Sequence, residues 1–218
     1  MRYTRAKICC ISSIAEAQMA VAYGADALGL VSSMPSGPGV ISEEQIIEIA
    51  ATVPPGVSTF LLTSAQDVNE IIAQQRRCRT DTVQIVDRLT VGTHAELREA
   101  LPGVGIVQVI HVQDASSIAE AVALAPQVDA ILLDSGNQKL AVKELGGTGR
   151  THDWSLSRRI REAIAPTPLY LAGGLRPENA ADAIATVEPF GLDICSGVRT
   201  NDRLDEQKLA RYMAVVRG

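Results

Sequence analysis

The chain has 218 residues, of which 46% are hydrophobic, 21% charged and 3% aromatic, and its formal net charge is −5. This length suits one domain. The acidic balance argues against a general binder of nucleic-acid phosphates, and two Phe, one Trp and four Tyr are few for stacking bases. No run reaches the roughly 18 apolar residues of a membrane span, so we expect no membrane partner.

Eight short apolar runs predict β-strands. Several are almost continuously apolar, which is typical of parallel strands buried on both faces. The low aromatic content favours a core of Val, Ile, Leu and Ala. The predicted strands are Thr4–Cys9, Ala27–Val31, Val57–Leu62, Thr82–Val86, Gly105–Ile110, Ala130–Asp134, Pro168–Leu171 and Leu192–Cys195.

Helix-start signals lie between the runs. Four Ser or Thr residues each stand three positions before Glu or Gln, which is the spacing of a capping box. Asp153 can cap a helix that begins at Trp154, and Pro177 suits a first helical position. The four capping-box residues are Ser13, Ser42, Thr93 and Ser117.

Eight strand–helix pairs predict a (β/α)8 barrel in the α/β class, with residues 1–218 as a single domain. An open, doubly wound sheet is the alternative, although such sheets usually have five or six strands. Two long loops, Ser32–Ser42 and Ser135–His152, follow strand ends. Because that end of a barrel carries the active site, both are functional candidates.

The cysteines indicate a reduced protein. Cys9, Cys10, Cys78 and Cys195 are too few for a disulfide scaffold, and none forms a CxxC pair. The three histidines lack metal-ligand spacing, so we expect no metal and no structural zinc. The N-terminal segment has no apolar leader, which together with the free thiols indicates a cytoplasmic location.

Two residues at strand ends could carry acid–base chemistry. A thiol at Cys9 could act as a base or nucleophile, although buried cysteines are often only structural. A carboxyl at Asp134 closes an apolar run and should lie at the barrel mouth, where it could be an acid or simply cap the loop. The two would face each other across the pocket.

Glycine-rich segments follow the last three predicted strands. Gly173-Gly174 follows the seventh, Ser196-Gly197 follows the eighth, and Gly147 belongs to a glycine-rich loop after the sixth. Glycine lets backbone N–H groups approach an anion, and the loops after strands seven and eight often bind phosphate in such barrels. These five residues are the predicted phosphate site.

Several segments resemble the phosphoribosylanthranilate isomerase family. KICCIS and AVAYGADALGLV are similar to that family's KICGIT and GADALGF, and VQIVD is similar to its VQLHG. ILLDS, GGTGRTHDW, LAGGLRPENAADAI and DICSGVR follow in the family's order. The likeness covers nearly the whole chain.

The resemblance implies a cofactor-free isomerase of tryptophan biosynthesis. It would convert an aminoaldose phosphate into an aminoketose, an Amadori rearrangement. By resemblance, Cys9 is the general base that removes the C2 proton and Asp134 is the general acid that opens the furanose ring. Asp193 falls near the substrate amine, and we also expect Gln84 and Arg88 to contact the phosphorylated, sugar-like substrate.

The chain departs from the family where the aglycone is bound. The family's loop after strand two carries SPR, whose arginine binds the anthranilate carboxylate, but Pro38 lies in that stretch here. The HG after strand four is Val86-Asp87, the Gly after the base is Cys10, and SSGVE has become CSGVR, with Arg199 at its end.

Two interpretations of these departures stay open. Arg88, Arg199, Lys139 or Lys143 could supply the lost cation. Alternatively, the protein is a diverged isomerase or lyase for another phosphorylated sugar or aminosugar, or a non-catalytic sugar-phosphate binder. Family precedent allows a monomer or a homodimer.

Overall fold

A computed structural model describes residues 3–135 and 152–218. They form a closed barrel of eight parallel strands in chain order, with the first strand paired to the last. This confirms the (β/α)8 prediction over the open sheet. The strands are β1 (Arg5–Ile8), β2 (Ala27–Val31), β3 (Ser58–Thr63), β4 (Thr82–Ile85), β5 (Gly105–His111), β6 (Ala130–Asp134), β7 (Leu169–Leu171) and β8 (Gly191–Ile194).

Helices surround the barrel. After β8, a 3₁₀ turn at Ser196–Val198 leads into a small antiparallel pair, β9 (Arg199–Thr200) and β10 (Arg203–Leu204). The helices in the described ranges are α1 (Ile14–Ala22), α2 (Glu43–Ala50), α3 (Val68–Cys78), α4 (His94–Ala100), α5 (Ser116–Leu124), α6 (Trp154–Ala163), α7 (Ala180–Val187) and α8 (Glu206–Arg217). None of these helices is long and apolar enough to cross a membrane.

The predicted strands match the observed ones to within one residue at each end. Helix starts match less evenly. Ser42 forms a full capping box with Gln45, and Asp153 caps α6 by accepting from the Ser155 N–H. Ser117 is a wrong prediction, because α5 already begins at Ser116, after Ala115, without a side-chain cap.

Two other helix starts differ in detail. Pro177 lies in the turn before α7 instead of its first position, and Asn179 is the N-cap residue. Ser13 and Thr93 cap α1 and α4 as predicted. However, Glu16 does not return its side chain to the Ser13 backbone; its carboxylate bonds to the Ser12 N–H instead.

Strand alternation separates two apolar layers. One set of side chains packs outward against the helices and includes Ile8, Leu28 and Leu61. The other set fills the barrel interior and includes Phe60, Tyr170 and Leu132. The interior is therefore a packed core, and open space remains at the carboxyl ends of the strands.

Candidate active site

A cavity opens at the carboxyl ends of the strands. Each of the eight strands, or the residue that follows it, contributes to the lining, and the loop after β2 closes one side of the cavity. This is where the fold concentrates functional groups. Its lining includes Cys9, Cys10, Val31, Met34, Ser36, Gly37, Pro38, Leu62, Gln84, Val109, Leu132, Asp134, Ala172, Gly173, Gly174, Leu175, Asp193, Ile194, Cys195 and Ser196.

Cys9 and Asp134 both line this cavity. Cys9 immediately follows β1 and Asp134 is the last residue of β6, three strands away around the closed barrel. Both are buried, with 6% and 8% of their surface exposed. The Ser135 N–H donates to Asp134 Oδ1 over 2.7 Å and so fixes the carboxyl at the rim. A thiol and a carboxyl thus approach one space from different sides.

A buried ion pair lies beneath the thiol. Lys7 shares the inward face of β1 with Cys9, because side chains two apart point the same way. Its Nζ donates to Asp193 Oδ2 on β8 over 2.9 Å, and its side chain is fully buried. Gly29 leaves room for both groups, since a Cβ there would lie 2.7 Å from Cys9 Sγ and 3.0 Å from Lys7 Nζ.

The surroundings of Cys9 determine its protonation. Burial, together with the Asp193 charge, raises the pKa of the thiol to about 11, although Lys7 acts in the opposite direction. Burial disfavours the charge of Lys7, but Asp193 and Cys9 outweigh this effect and hold the pKa of Lys7 above its usual value. Lys7 is therefore a fixed cation that stabilises the thiolate and partly offsets the rise in the pKa of Cys9.

Alkylation of Cys9 should report this raised pKa. The thiolate is the reactive form, so the rate with iodoacetamide should increase about tenfold per pH unit from pH 7 to 9.5 without levelling off. An alkylation rate that levels off with an apparent pKa below 9 would contradict the raised pKa of Cys9. The Cys9 peptide must be followed by mass spectrometry, because burial also raises the pKa of Cys78 to about 11.

Two glycine-containing turns, which follow β7 and β8, also contribute to the cavity lining. Gly173 and Gly174 have φ of 86° and 63°, which is the left-handed region that favours glycine. Ser196 begins the 3₁₀ turn after β8. A Cβ on Gly197 would lie 2.0 Å from the Leu175 carbonyl oxygen, so the two turns touch only because this residue is glycine. The arrangement leaves backbone N–H groups for an anion.

Gly197→Ala should therefore separate the two turns. We expect inhibition by inorganic phosphate to weaken by about tenfold or more, which is the loss of one hydrogen bond to a charged group. Gly103→Ala is the control for a substitution without a steric clash, because an added Cβ there meets nothing within 4 Å. Its φ of 85° makes alanine strained at this position, so the control covers backbone strain as well. Unchanged phosphate inhibition in folded Gly197→Ala protein would exclude this turn from the anion site.

Two residues that line the cavity each carry a buried side-chain oxygen without a hydrogen-bond partner among the described residues. These oxygens are Gln84 Oε1 and Asp193 Oδ1. Unpartnered buried acceptors are rare and commonly await a ligand. Both positions are therefore placed where a substrate N–H or O–H could donate to them.

The predicted cations lie elsewhere. Arg88 pairs with Glu120 over 2.9 Å, is two-thirds exposed and borders a groove beside α4 and α5, away from the cavity. Arg199 is buried in an ion pair with Glu16. The structure thus brings neither to the cavity. Gly147, Lys139 and Lys143 lie outside the described residues.

The end of the cavity opposite the glycine turns is apolar. Val31, Met34, Pro38 and Leu62 contribute to it, and no lining side chain in the described ranges is a cation or an aromatic ring. Phe60, Tyr170 and Phe190 stack edge to face elsewhere in the barrel. An aryl group would therefore contact aliphatic side chains here.

The structure links Cys10 to Cys195 in a disulfide, contrary to the expectation that all the cysteines are reduced. The two residues are 185 positions apart, and their Cα atoms lie 5.9 Å from each other. Barrel closure makes them neighbours, because one follows β1 and the other follows β8. Sequence spacing carried no sign of this pairing. Cys9 and Cys78 are free.

The histidines have structural contacts. His94 Nε2 contacts Gln108 Oε1 at 3.0 Å, His152 Nε2 contacts Ser157 Oγ at 2.6 Å, and His111 Nε2 contacts the Val86 carbonyl oxygen at 3.0 Å. Across residues 3–135 and 152–218, no group of three or more His, Cys, Asp or Glu side chains could hold a metal.

Known proteins share both this sequence and this fold. A family model described as N-(5'-phosphoribosyl)anthranilate (PRA) isomerase matches residues 6–215. The N-(5'-phosphoribosyl)anthranilate isomerase of Haloferax volcanii is 36% identical over 209 residues, which cover 95% of this chain and 90% of the relative. That of Methanothrix thermoacetophila is 35% identical over 218 residues and covers 99% of both chains.

Solved structures agree. The phosphoribosyl anthranilate isomerase of Thermotoga maritima superposes with a TM-score of 0.80 at 28% identity, covering 98% of each chain. A phosphoribosyl anthranilate isomerase in complex with reduced 1-(o-carboxyphenylamino)-1-deoxyribulose 5-phosphate gives 0.78 at 26% identity with the same coverage. The sequence resemblance is thereby confirmed, and the chain belongs to the N-(5'-phosphoribosyl)anthranilate isomerase family.

Proposed function

We propose that this isomerase converts N-(5-phosphoribosyl)anthranilate into the corresponding aminoketose in tryptophan biosynthesis, by acid–base catalysis without a cofactor. The observation that carries the proposal is the shared cavity of Cys9 and Asp134, with the two glycine-containing turns at one end. A phosphate held by those turns would leave the sugar ring between the thiol and the carboxyl.

Asp134 is the proposed general acid. It donates a proton to the furanose ring oxygen, the bond between that oxygen and C1 breaks, and the substrate nitrogen forms an iminium with C1. The iminium makes the C2 hydrogen acidic. Cys9 then removes the C2 proton as thiolate, which leaves an enamine that tautomerises to the ketone. The proton count balances, because one proton is donated and another removed.

The two groups must react in complementary protonation states. The acid needs its proton and the base must be without one. Because the pKa of Cys9 is raised to about 11, only a minor fraction of this thiol is ionised at neutral pH. Lys7 increases this fraction, because its charge favours the Cys9 thiolate. Asp193 holds Lys7 through Oδ2 and offers Oδ1 toward the substrate amine, while Gln84 offers a second acceptor.

Recognition of the aglycone is the step with the least support from the described residues. Val31, Met34, Pro38 and Leu62 can pack against an aryl ring. A carboxylate on that ring would need a cation, and Arg88 and Arg199 are both paired with glutamates. This is the observation that keeps a changed aglycone as the second candidate function, with the same chemistry on another phosphorylated aminosugar.

Complementation tests the proposal. The wild-type chain should restore growth without tryptophan to an auxotroph that lacks the isomerase, and neither Cys9→Ala nor Asp134→Asn should do so. Failure of the folded wild-type protein would overturn the proposed substrate in favour of the changed aglycone. Growth with either variant would overturn the assignment of that residue.

We further propose that the enzyme works in the cytoplasm, where reducing surroundings protect the free thiol of Cys9 from oxidation. The Cys10–Cys195 disulfide would then be an exception to the rule that cytoplasmic proteins rarely contain such bonds. The enzyme is expected to be a monomer or a homodimer. Light scattering after gel filtration distinguishes the two, and a tetramer would contradict both.

A further inference from the structure

Arg199 lies close to the end of β1, where the proposed base Cys9 is found. It begins β9, immediately after the turn at Ser196–Val198, and its side chain is buried. Its guanidinium meets the Glu16 carboxylate through two contacts, Nη1 to Oε1 at 3.1 Å and Nη2 to Oε2 at 2.9 Å. The same Nη2 donates to the Cys10 carbonyl oxygen. A single side chain thus reaches the residue that follows the proposed base.

Glu16 is held just as firmly. Its carboxylate also accepts from the Ser12 N–H over 3.0 Å and from the Leu204 N–H over 2.8 Å. Burial acts to raise the pKa of Glu16, but Arg199 and these N–H groups outweigh it and lower the pKa below the usual value. The pair therefore stays ionised and fixes the direction of the Arg199 guanidinium.

Cys10 needs such a contact. Its φ is 63°, in the left-handed region that residues other than glycine adopt at a cost. Gly39 packs directly on it, since a Cβ on Gly39 would lie 2.5 Å from Cys10 Cβ. Cys10 directly follows Cys9, so its conformation fixes the peptide through which the chain leaves the proposed base.

Two long-range contacts meet at Cys10. Its sulfur is bonded to Cys195, and its carbonyl oxygen accepts from Arg199. The backbone at this position is therefore held from two sides.

We propose that Arg199, oriented by Glu16, is a positioning residue for the reaction: its hydrogen bond to the Cys10 carbonyl holds the left-handed turn that aims Cys9 into the cavity. The inference rests on the proposed role of Cys9. It requires that Arg199 matter because residue 10 is not glycine, which can adopt that φ without cost.

A double-mutant cycle between Arg199→Met and Cys10→Gly tests this. Every protein carries Cys195→Ser, so that the disulfide is absent throughout and does not confound the comparison. We measure kcat and KM with N-(5-phosphoribosyl)anthranilate, inhibition by inorganic phosphate, the unfolding midpoint, and the rate of Cys9 alkylation by iodoacetamide at fixed pH.

In the Cys10 background, Arg199→Met should lower kcat by about tenfold, as expected for a misplaced base, and change phosphate inhibition less than about twofold. With Cys10→Gly, the same substitution should change kcat by less than about threefold. Arg199→Lys, which keeps one donor, should be intermediate. Equal losses in the two backgrounds, or no loss in either, would overturn the proposal.

Two measurements keep the outcome decisive. If Arg199→Met does not fold, Glu16→Gln replaces it in the cycle, with the same expectations. Alkylation of Cys9 by iodoacetamide does not depend on the identity of the substrate. If Arg199→Met changes the alkylation rate of Cys9, and this change disappears with Cys10→Gly, the positioning role is supported. This conclusion holds even if the wild type does not isomerise N-(5-phosphoribosyl)anthranilate. Isomerisation without that dependence would support the proposed function and overturn this inference.

Discussion

Replacing Cys9 with alanine should lower kcat by about 10³-fold, which is the contribution expected of a general base. Cys9 lines the cavity, and only 6% of its surface is exposed. Alanine lacks only the Sγ atom, so the substitution removes the proton acceptor with little change in the shape of the cavity. Inhibition by inorganic phosphate should stay within about twofold of wild type, because the proposed phosphate site consists of backbone groups of the glycine turns and does not include the Cys9 side chain. Steady-state kinetics by loss of substrate fluorescence measures both quantities.

Cys78→Ala is the matched control. Cys78 is the other free cysteine in the described residues, ends α3 and is equally buried. This variant should keep kcat within about twofold of wild type. If Cys9→Ala kept more than a tenth of the wild-type kcat, Cys9 would not be the base. If it also lost phosphate inhibition, the loss of activity would reflect a damaged pocket.

Replacing Lys7 with methionine should destabilise the fold by about 3–5 kcal/mol, the usual cost of leaving one buried charge unpaired. Lys7 and Asp193 are both buried, and Nζ lies 2.9 Å from Oδ2. The free energy of unfolding from urea denaturation measures the effect. The same variant should slow alkylation of Cys9, because the charge that lowers the pKa of that thiol is gone.

The loss of stability should depend on pH. Burial raises the pKa of Asp193 even with Lys7 beside it, and Lys7 is the charge that opposes this rise. Removing Lys7 should raise the pKa further, so the folded variant binds a proton that the unfolded chain releases near its usual pKa. A raised folded-state pKa means that stability is retained at low pH and lost as pH rises. The deficit of Lys7→Met should therefore shrink between pH 7 and pH 5. The double variant Lys7→Met/Asp193→Leu should recover much of the lost free energy of unfolding at pH 7. If it recovered none, the unpaired Asp193 charge would not be the cause of the lost stability.

The barrel could be predicted from sequence because burial on both faces leaves a simple signal. Each strand is a short, nearly unbroken apolar run, and Ala130–Asp134 is found with the predicted ends. Helix starts were less certain, because a Ser and a Glu three residues apart also occur inside helices. Ser117 is such a case, since its partner Glu120 pairs with Arg88 instead.

The proposed acid and base could also be placed from sequence, because both end predicted strands. Lys7 was missed, although one signal was present. A lysine two residues before Cys9, in an otherwise apolar strand, shares the inward face of that strand. Its partner became visible only with the closed barrel, which places Lys7 opposite Asp193 in the β1–β8 register.

The long-range pairings could not be derived from one sequence. Arg199 was considered as a cation for the substrate, yet it is paired with Glu16, 183 positions away. The Cys10–Cys195 disulfide spans 185 positions. Such contacts depend on which loops the barrel brings together, and spacing along the chain contains no trace of that.

In the proposed reaction, one cavity holds the phosphate at the glycine turns and presents C2 of the sugar to Cys9. A crystal structure with reduced 1-(o-carboxyphenylamino)-1-deoxyribulose 5-phosphate would show both contacts at once. We predict the phosphate against the backbone of Gly174 and Gly197, and Cys9 Sγ within about 3.5 Å of C2, as expected for a near-attack geometry. A phosphate bound elsewhere, or C2 remote from Cys9, would overturn the proposed roles of the glycine turns and of Cys9.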